Sequence, residues 1–342
     1  MTNDVLFTRE NHIGLVTLNR PQALNALTLP MILALQVQLQ AWQDDSHIHA
    51  VVVRAAAGER AFCAGGDVRA IYHHGRENNQ QKMEFFRSEY RLNQFIHDFG
   101  KPYIALMDGI TMGGGVGISL HGSHPVASER FLFAMPETGI GFYPDIGASH
   151  LLTRCPGHFG VYLGLTGSRL GAADAQALGL VKYIIAGEQF SDVLESLIKC
   201  DLSLDAHQGV DRVLRQFLMP TLSLSLDAFV PFVDSCFQHT TMESILAALS
   251  EYDNDWHRET HRVLTLKAPL SLKVTLAQLQ KAKSLTVAEC LAMDYCLTSH
   301  FMCAPDFHEG VRALLVDKDN NPHWQPRTLA EVSETMVAEY FL

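Results

Sequence analysis

The chain has 342 residues, a net charge of −11, and 47% hydrophobic against 18% charged residues, enough apolar material for one large core with or without an appended piece and too much for a disordered chain. The acidic balance argues against a nucleic-acid partner, which requires a basic face, but leaves room for a phosphate-bearing small molecule held by a few local cations. No apolar run reaches the roughly 18–20 residues that span a bilayer, and residues 1–8 lack the basic segment and apolar stretch of a signal peptide. A soluble, cytoplasmic protein with no membrane partner is the expectation.

In chain order, the first half reads as repeated strand–strand–helix units. Strand character at residues 5–7 leaves no space for a transit sequence, and Ile13–Leu18 is a second strand ended by the turn Asn19-Arg20-Pro21. Thr28 is placed to cap a helix with Pro30 in its first turn and Met31, Ile32, Leu35, Leu39 and Trp42 at helical spacing. Residues 50–53 are nearly all apolar, as in a strand buried on both faces, and Tyr103–Met107 and 131–135 repeat that character. Beyond about Gly187 the texture changes to amphipathic helices over 208–218, 242–249 and 270–281. A boundary near 187–205 follows, dividing a core at 1–200 from a helical region at 201–342, although no Gly/Ser linker marks it.

Two glycine clusters each follow a buried strand. One is Phe62-Cys63-Ala64-Gly65-Gly66-Asp67; the other is Met112-Gly113-Gly114-Gly115-Val116-Gly117, just after Asp108-Gly109. Glycine permits unusual backbone angles and close approach of a ligand. A helix starting at the second cluster would present free N–H groups and a positive dipole end. Two such loops brought together would aim two N–H groups at one carbonyl oxygen, an oxyanion hole for acyl chemistry. A phosphate cradle and plain tight turns are the other readings. Neither the spaced G-x-G-x-x-G fingerprint nor a G-x-x-x-x-G-K-[ST] loop is present.

Glu137 and Asp145 lie eight apart among apolar, glycine and proline residues. An acid against apolar walls has a raised pKa suited to acid–base work, and two acids in unlike environments can divide water activation from leaving-group protonation. The plainer alternative makes Glu137 a loop cap and Asp145 the cap of a helix beginning near Gly147. His73, His74, His121, His124 and His150 form no recognisable nucleophile–base pattern, and no G-x-S-x-G elbow occurs. The seven cysteines are odd in number, lack C-x-x-C or zinc spacing, and are expected to be buried free thiols.

These segments now identify a family. Asn19-Arg20-Pro21 with Leu24-Asn25-Ala26, the run from Phe62 to Asp67, Asp108-Gly109 with Gly113-Gly114-Gly115, and Pro136-Glu137 resemble the crotonase (enoyl-CoA hydratase/isomerase) superfamily in order and spacing, over about residues 5–190. The resemblance implies an α/β fold: a β-β-α spiral core with a helical C-terminal region, binding acyl-CoA with the thioester oxygen between the N–H groups of Gly66 and Gly114. Hydratases of this superfamily carry a second glutamate at the position that is Gly117 here.

The segment from Met135 to Gly147, Gly66-Asp67-Val68-Arg69, the helix from Phe85 to Tyr90, and the distal run from Asp306 to Ala313 with Asp317-Lys318-Asp319 resemble the branch that hydrolyses 3-hydroxyisobutyryl-CoA. That likeness implies Glu137 and Asp145 as catalytic residues, Glu89 and Gly114 as substrate contacts, and a place in valine breakdown. Coenzyme A would enter as part of the substrate, with no metal and no separate cofactor. Arg20, Arg69 and Lys318 are candidates for its phosphates, and the C-terminal helices are expected to cover the acyl group and build a homo-oligomer. Isomerisation or hydration on the same scaffold is the alternative reaction, and an acyl-CoA-binding scaffold the alternative outside enzymology.

Overall fold

A computed structural model describes residues 3–73, 79–220 and 223–342. Its chain forms two compact units: Met1–Gly66, Ser88–Phe133 and Leu170–Leu224 make the first, and Asp67–Arg87, Ala134–Arg169 and Ser225–Leu342 the second. The boundary expected at 200/201 falls inside the first unit, between the helices Phe190–Lys199 and Ala206–Leu214.

Among the described residues the first unit is built on ten short strands: β1 (Val5–Glu10), β2 (Ile13–Leu18), β3 (Ala50–Ala55), β4 (Ala61–Cys63), β5 (Tyr103–Met107), β6 (Ile110–Met112), β7 (His124–Ala127), β8 (Leu132–Ala134, its last residue in the second unit), β9 (Leu170–Gly171) and β10 (Tyr183–Ile184). Six form a sheet in the order β1-β2-β3-β5-β7-β10, antiparallel at β1–β2 and parallel from there on; β4-β6-β8-β9 form a second, smaller sheet. Parallel strands need both faces covered. Ala50–Val53 are accordingly buried, and Ile13, Val52, Ile104 and Val126 pack in one cluster with Val193, Leu197 and Val210 from the helices Phe190–Lys199 and Ala206–Leu214.

The helix Leu29–Asp44 begins as its sequence dictates. The Thr28 hydroxyl accepts the Met31 N–H at 3.4 Å, and the five expected apolar residues are its buried face. Trp42 on that face lies so close to β2 that a Cβ on Gly14 would come within 2.7 Å of its ring. Two elements are shorter than their patterns. The strand expected over 131–135 spans Leu132–Ala134, and the helix expected over 208–218 ends at Leu214. There the chain tightens into a 3-10 turn, and Met219 N–H then bonds the Ile184 carbonyl at 2.9 Å, so strand-edge pairing ends the helix.

The second unit is mainly helical. Met242–Ser250 and Pro269–Ala282 coincide closely with the expected helices, the latter burying Leu272, Val274, Leu276 and Leu279. Thr286 and Glu289 form a reciprocal capping box that starts Val287–Phe301. No helix among the described residues is long and apolar enough to cross a membrane. All seven cysteines are free, but only Cys63, Cys155, Cys236 and Cys290 are buried. Cys303 is exposed in the turn after Val287–Phe301, against the expectation of buried thiols.

Candidate active site

In the first unit the two glycine loops meet. Gly65 (φ +115°) and Gly113 (φ +47°) hold backbone conformations that L side chains rarely adopt. Leu27 donates its N–H to the Gly65 carbonyl at 2.8 Å, fixing the first loop. Gly114 opens the short helix Gly114–Gly117, so its N–H has no intrahelical acceptor. A Cβ on Gly114 would lie 3.2 Å from the Gly66 nitrogen and would overlap Oε1 of Glu89, which projects from the helix Asn79–His97. The two backbone donors and the Glu89 carboxyl thus share one small space. A helix does start at the second cluster, but with only four residues it contributes little macrodipole, so the polarity here rests mainly on its free N–H groups. Cys63 beside them is no nucleophile, because burial pushes its thiol up to about 12.

The second unit holds the two acids. Glu137 opens the 3-10 turn Glu137–Ile140, pinned by the Thr138 hydroxyl donating to Leu165 O at 3.0 Å and by Ala268 N–H donating to Thr138 O at 3.2 Å. The helix Pro305–Val311 presses on this turn. A Cβ on Gly310 would come within 2.6 Å of the Ile140 Cα, and one on Gly141 within 2.8 Å of the Asp306 Cβ. The distal run that begins at Asp306 therefore supports the Glu137 turn. Glu137 is 7% exposed and its Oε2 has no hydrogen-bond partner. Burial raises its pKa well above the usual carboxylate value and the Asp145 charge adds to this, while its own N–H and the Lys267 ammonium oppose. The Lys267 Nζ stands 3.2 Å from where a Cβ on Gly139 would lie, and burial lowers that lysine's pKa.

Asp145 is buried, and its side chain is not a helix cap. The helix Ala148–Leu152 has no side-chain cap; Ala148 N–H instead reaches the Asp145 carbonyl at 2.9 Å. After Asp145 the backbone turns left-handed at Ile146 (φ +57°) and Gly147 (φ +72°). For a β-branched residue that conformation is strained and persists only when its surroundings enforce it. Asp294 does so. Its Oδ2 accepts the Gly147 N–H at 2.7 Å, while Gln278 Nε2 donates both to Asp294 Oδ1 at 2.8 Å and to the Pro144 carbonyl at 3.0 Å. Burial raises the Asp294 pKa, opposed by the Gly147 N–H and reinforced by Asp145.

Sequence reasoning did not single out Asp294. The available signal was an acid on the apolar face that also carries Cys290, Leu297 and Phe301, at helical spacing. Asp294→Ala is expected to lower unfolding free energy by about 2–4 kcal/mol, leaving the Gly147 N–H unpaired in the interior and the Gln278 amide with only its bond to Pro144. Activity should fall at least about tenfold as Asp145 loses its support. A urea midpoint equal to that of the wild type would show the loop does not depend on Asp294.

The cations expected for the coenzyme's phosphates lie as follows. Arg20, in the first unit, donates to the Ala26 carbonyl at 2.9 Å; Arg69, in the second, donates to the Leu315 carbonyl; Lys318 lies exposed at φ +58°. Arg312 binds Glu309, Asp317 and Asp319 at 2.6–2.8 Å, so the distal acids serve an ion-pair network. His74 lies outside the described residues. One chain of groups escaped the sequence reading: His124 bridges Ser123 Oγ at 2.8 Å and Asp211 Oδ1 at 3.2 Å. Burial pushes that imidazole down to about 4, a weak base at neutral pH, and Ser123 Oγ already accepts the Tyr103 N–H at 3.0 Å.

A family model described as enoyl-CoA hydratase/isomerase matches residues 13–341. The chain belongs to that family. Among curated relatives of this family member are the mitochondrial 3-hydroxyisobutyryl-CoA hydrolases of Danio rerio, 42% identical over 347 residues (99% of this chain and 89% of that protein), and of Homo sapiens, 39% identical over 343 residues (99% and 88%). Among solved structures, a carnitinyl-CoA dehydratase from Mycobacterium thermoresistibile matches with a TM-score of 0.93 at 37% identity, covering 100% of this chain and 97% of that one. An enoyl-CoA hydratase from Rhodobacter sphaeroides 2.4.1 matches with a TM-score of 0.91 at 35% identity, covering 99% and 97%. The crotonase-like α/β architecture expected from the motifs is the one found.

Proposed function

We propose that the chain hydrolyses a short 3-hydroxyacyl-CoA thioester, 3-hydroxyisobutyryl-CoA above all, to the hydroxy acid and coenzyme A in valine breakdown. The curated hydrolases carry that activity in their names. The observation on this chain that favours hydrolysis over hydration is position 117. Gly117 is buried, and a Cβ there would stand 2.6 Å from Nδ2 and 3.0 Å from Cγ of Asn93. Glycine supplies no second carboxylate there, and any side chain would have to displace the Asn93 amide.

In this reading the N–H groups of Gly66 and Gly114 take the thioester oxygen, each such donor being worth about 3–4 kcal/mol in the barrier. Glu137 either removes a proton from the attacking water or adds to the carbonyl carbon itself, giving a mixed anhydride that water opens. On both routes the C–S bond breaks and a proton passes to the thiolate. On the first, water adds to the thioester carbon and its oxygen ends in the product; on the second, water opens the anhydride at the Glu137 carboxyl carbon, so its oxygen stays in Glu137 and a glutamate oxygen leaves in the product. Asp145 orients the water or the acyl hydroxyl. No metal or separate cofactor is proposed, because two N–H donors and proton transfer supply the polarisation.

The test is release of free thiol from 3-hydroxyisobutyryl-CoA, with crotonyl-CoA and a 3-enoyl-CoA alongside. Release from the hydroxyacyl thioester alone is the expected result. Hydration or isomerisation of the enoyl substrates without thiol release would replace hydrolysis by the reaction of the hydratase branch. Solvent oxygen-18 incorporated in Glu137 after a single turnover would establish the anhydride route.

A further inference from the structure

The first unit contains a polar side chain that this mechanism leaves idle. Asn93 is 0% exposed, and neither Nδ2 nor Oδ1 has a hydrogen-bond partner. An amide left so is costly to bury, and its retention asks for a reason beyond packing.

Its position supplies one. Glu89 and Asn93 are four residues apart on the helix Asn79–His97 and share a face; Gly114 and Gly117 are three apart on the helix Gly114–Gly117 and share a face. Glu89 abuts Gly114, and the Asn93 amide lies flat against Gly117, with Nδ2 2.6 Å and Oδ1 3.0 Å from where a Cβ would be. The two faces are therefore matched turn for turn. Gly117, against which Asn93 lies, is three residues along from the donor at Gly114, an axial rise of about 4.5 Å at the usual helical value. In a 3-hydroxyacyl thioester the hydroxyl oxygen is two carbons beyond the carbonyl carbon, roughly 3–4 Å from the carbonyl oxygen.

We infer that Asn93 is the specificity-determining residue for the acyl 3-hydroxyl: its Oδ1 accepts the hydroxyl proton when the carbonyl is held at Gly66 and Gly114. The inference rests on the thioester reading and adds to it a group that selects hydroxyacyl over plain acyl chains. Burial makes the selection strong, because an acyl chain lacking the hydroxyl leaves the amide unmatched out of water.

The test compares kcat/KM for 3-hydroxyisobutyryl-CoA with that for isobutyryl-CoA, in the wild type and in Asn93→Leu and Asn93→Ala. The wild type should favour the hydroxyacyl substrate at least about 100-fold, and each variant should cut that ratio at least about 30-fold. Asn93→Asp, which keeps an acceptor, should retain more of the preference than either. The Leu variant keeps the volume and the Ala variant relieves any crowding, so at least one folded protein reports. A merely structural role would lower both substrates together and leave the ratio unchanged, which overturns the inference while thiol release continues. No thiol from either substrate with the wild type would sink the thioester reading, and this inference with it.

Discussion

Glu137→Gln should yield a folded protein that unfolds at a higher temperature than the wild type at pH 8, unfolds equally at pH 4, and releases thiol about 10²–10⁴-fold more slowly. The stability half follows from linkage. Burial, reinforced by Asp145, raises the folded-state pKa of Glu137 above its unfolded value, so the folded state prefers the neutral carboxyl. That contribution is fully present below the unfolded pKa and is lost as pH rises through the folded pKa, by at most about 1.4 kcal/mol per pH unit between the two. Glutamine imitates the neutral carboxyl at every pH and never incurs the loss. Activity should run the opposite way, because the proposed mechanism uses ionised Glu137; the wild type should weaken on the acid side of the raised pKa. Calorimetry of both proteins at the two pH values, with thiol release at pH 8, checks the whole. An unfolding-temperature difference that does not change with pH would mean Glu137 is not held with a raised pKa. A Gln variant at wild-type rate would remove Glu137 from the chemistry.

What the sequence disclosed and what it withheld divide along the distance over which the signals act. The Thr28 cap, the buried face of Leu29–Asp44 and the doubly buried strand at 50–53 are local consequences of side-chain period and hydroxyl placement, and they stood where the pattern put them. Glu137 and Asp145 were conspicuous as acids in apolar company. Their supports were not, because Asp294 reaches Gly147 across 147 positions and Gln278 reaches Pro144 across 134. Lys267 and Asn93 carry no local signal of their own; what marks them is the glycine that the backbone brings against each. Gly310 could be matched to a family motif without its reason, which is that any side chain there would run into Ile140. The units interleave for the same cause. Residues 67–87 and 134–169 cluster with 225–342, and a reading in chain order sees only contiguous pieces.

Alanine at the two neighbouring glycines 114 and 115 should separate function from folding. At Gly115 the added Cβ would overlap the Cys63 carbonyl oxygen and stand 2.9 Å from its carbon, in the backbone of β4. Backbone within a sheet cannot give way, so Gly115→Ala should accumulate little folded protein. At Gly114 the overlap is with Oε1 of Glu89, the far end of a flexible side chain, and the Gly66 nitrogen is 3.2 Å away. Helical backbone at 114 suits alanine, so Gly114→Ala should fold after Glu89 swings aside, at a cost of about 1–3 kcal/mol. The methyl group then sits over the Gly66 N–H, and the carbonyl oxygen cannot settle between the two donors. Losing one such donor costs about 10²–10³ in kcat. The fall should appear mainly in kcat, because the donors bind the developing oxyanion more strongly than the ground-state carbonyl; displacement of Glu89 should add a smaller rise in KM. Thermal unfolding and single-substrate kinetics on both variants decide the matter. If Gly114→Ala were as unstable as Gly115→Ala, with activity falling only in proportion to the folded fraction, the paired N–H groups would be a packing device. A well-folded, nearly inactive Gly114→Ala protein requires that they act on the substrate's oxygen.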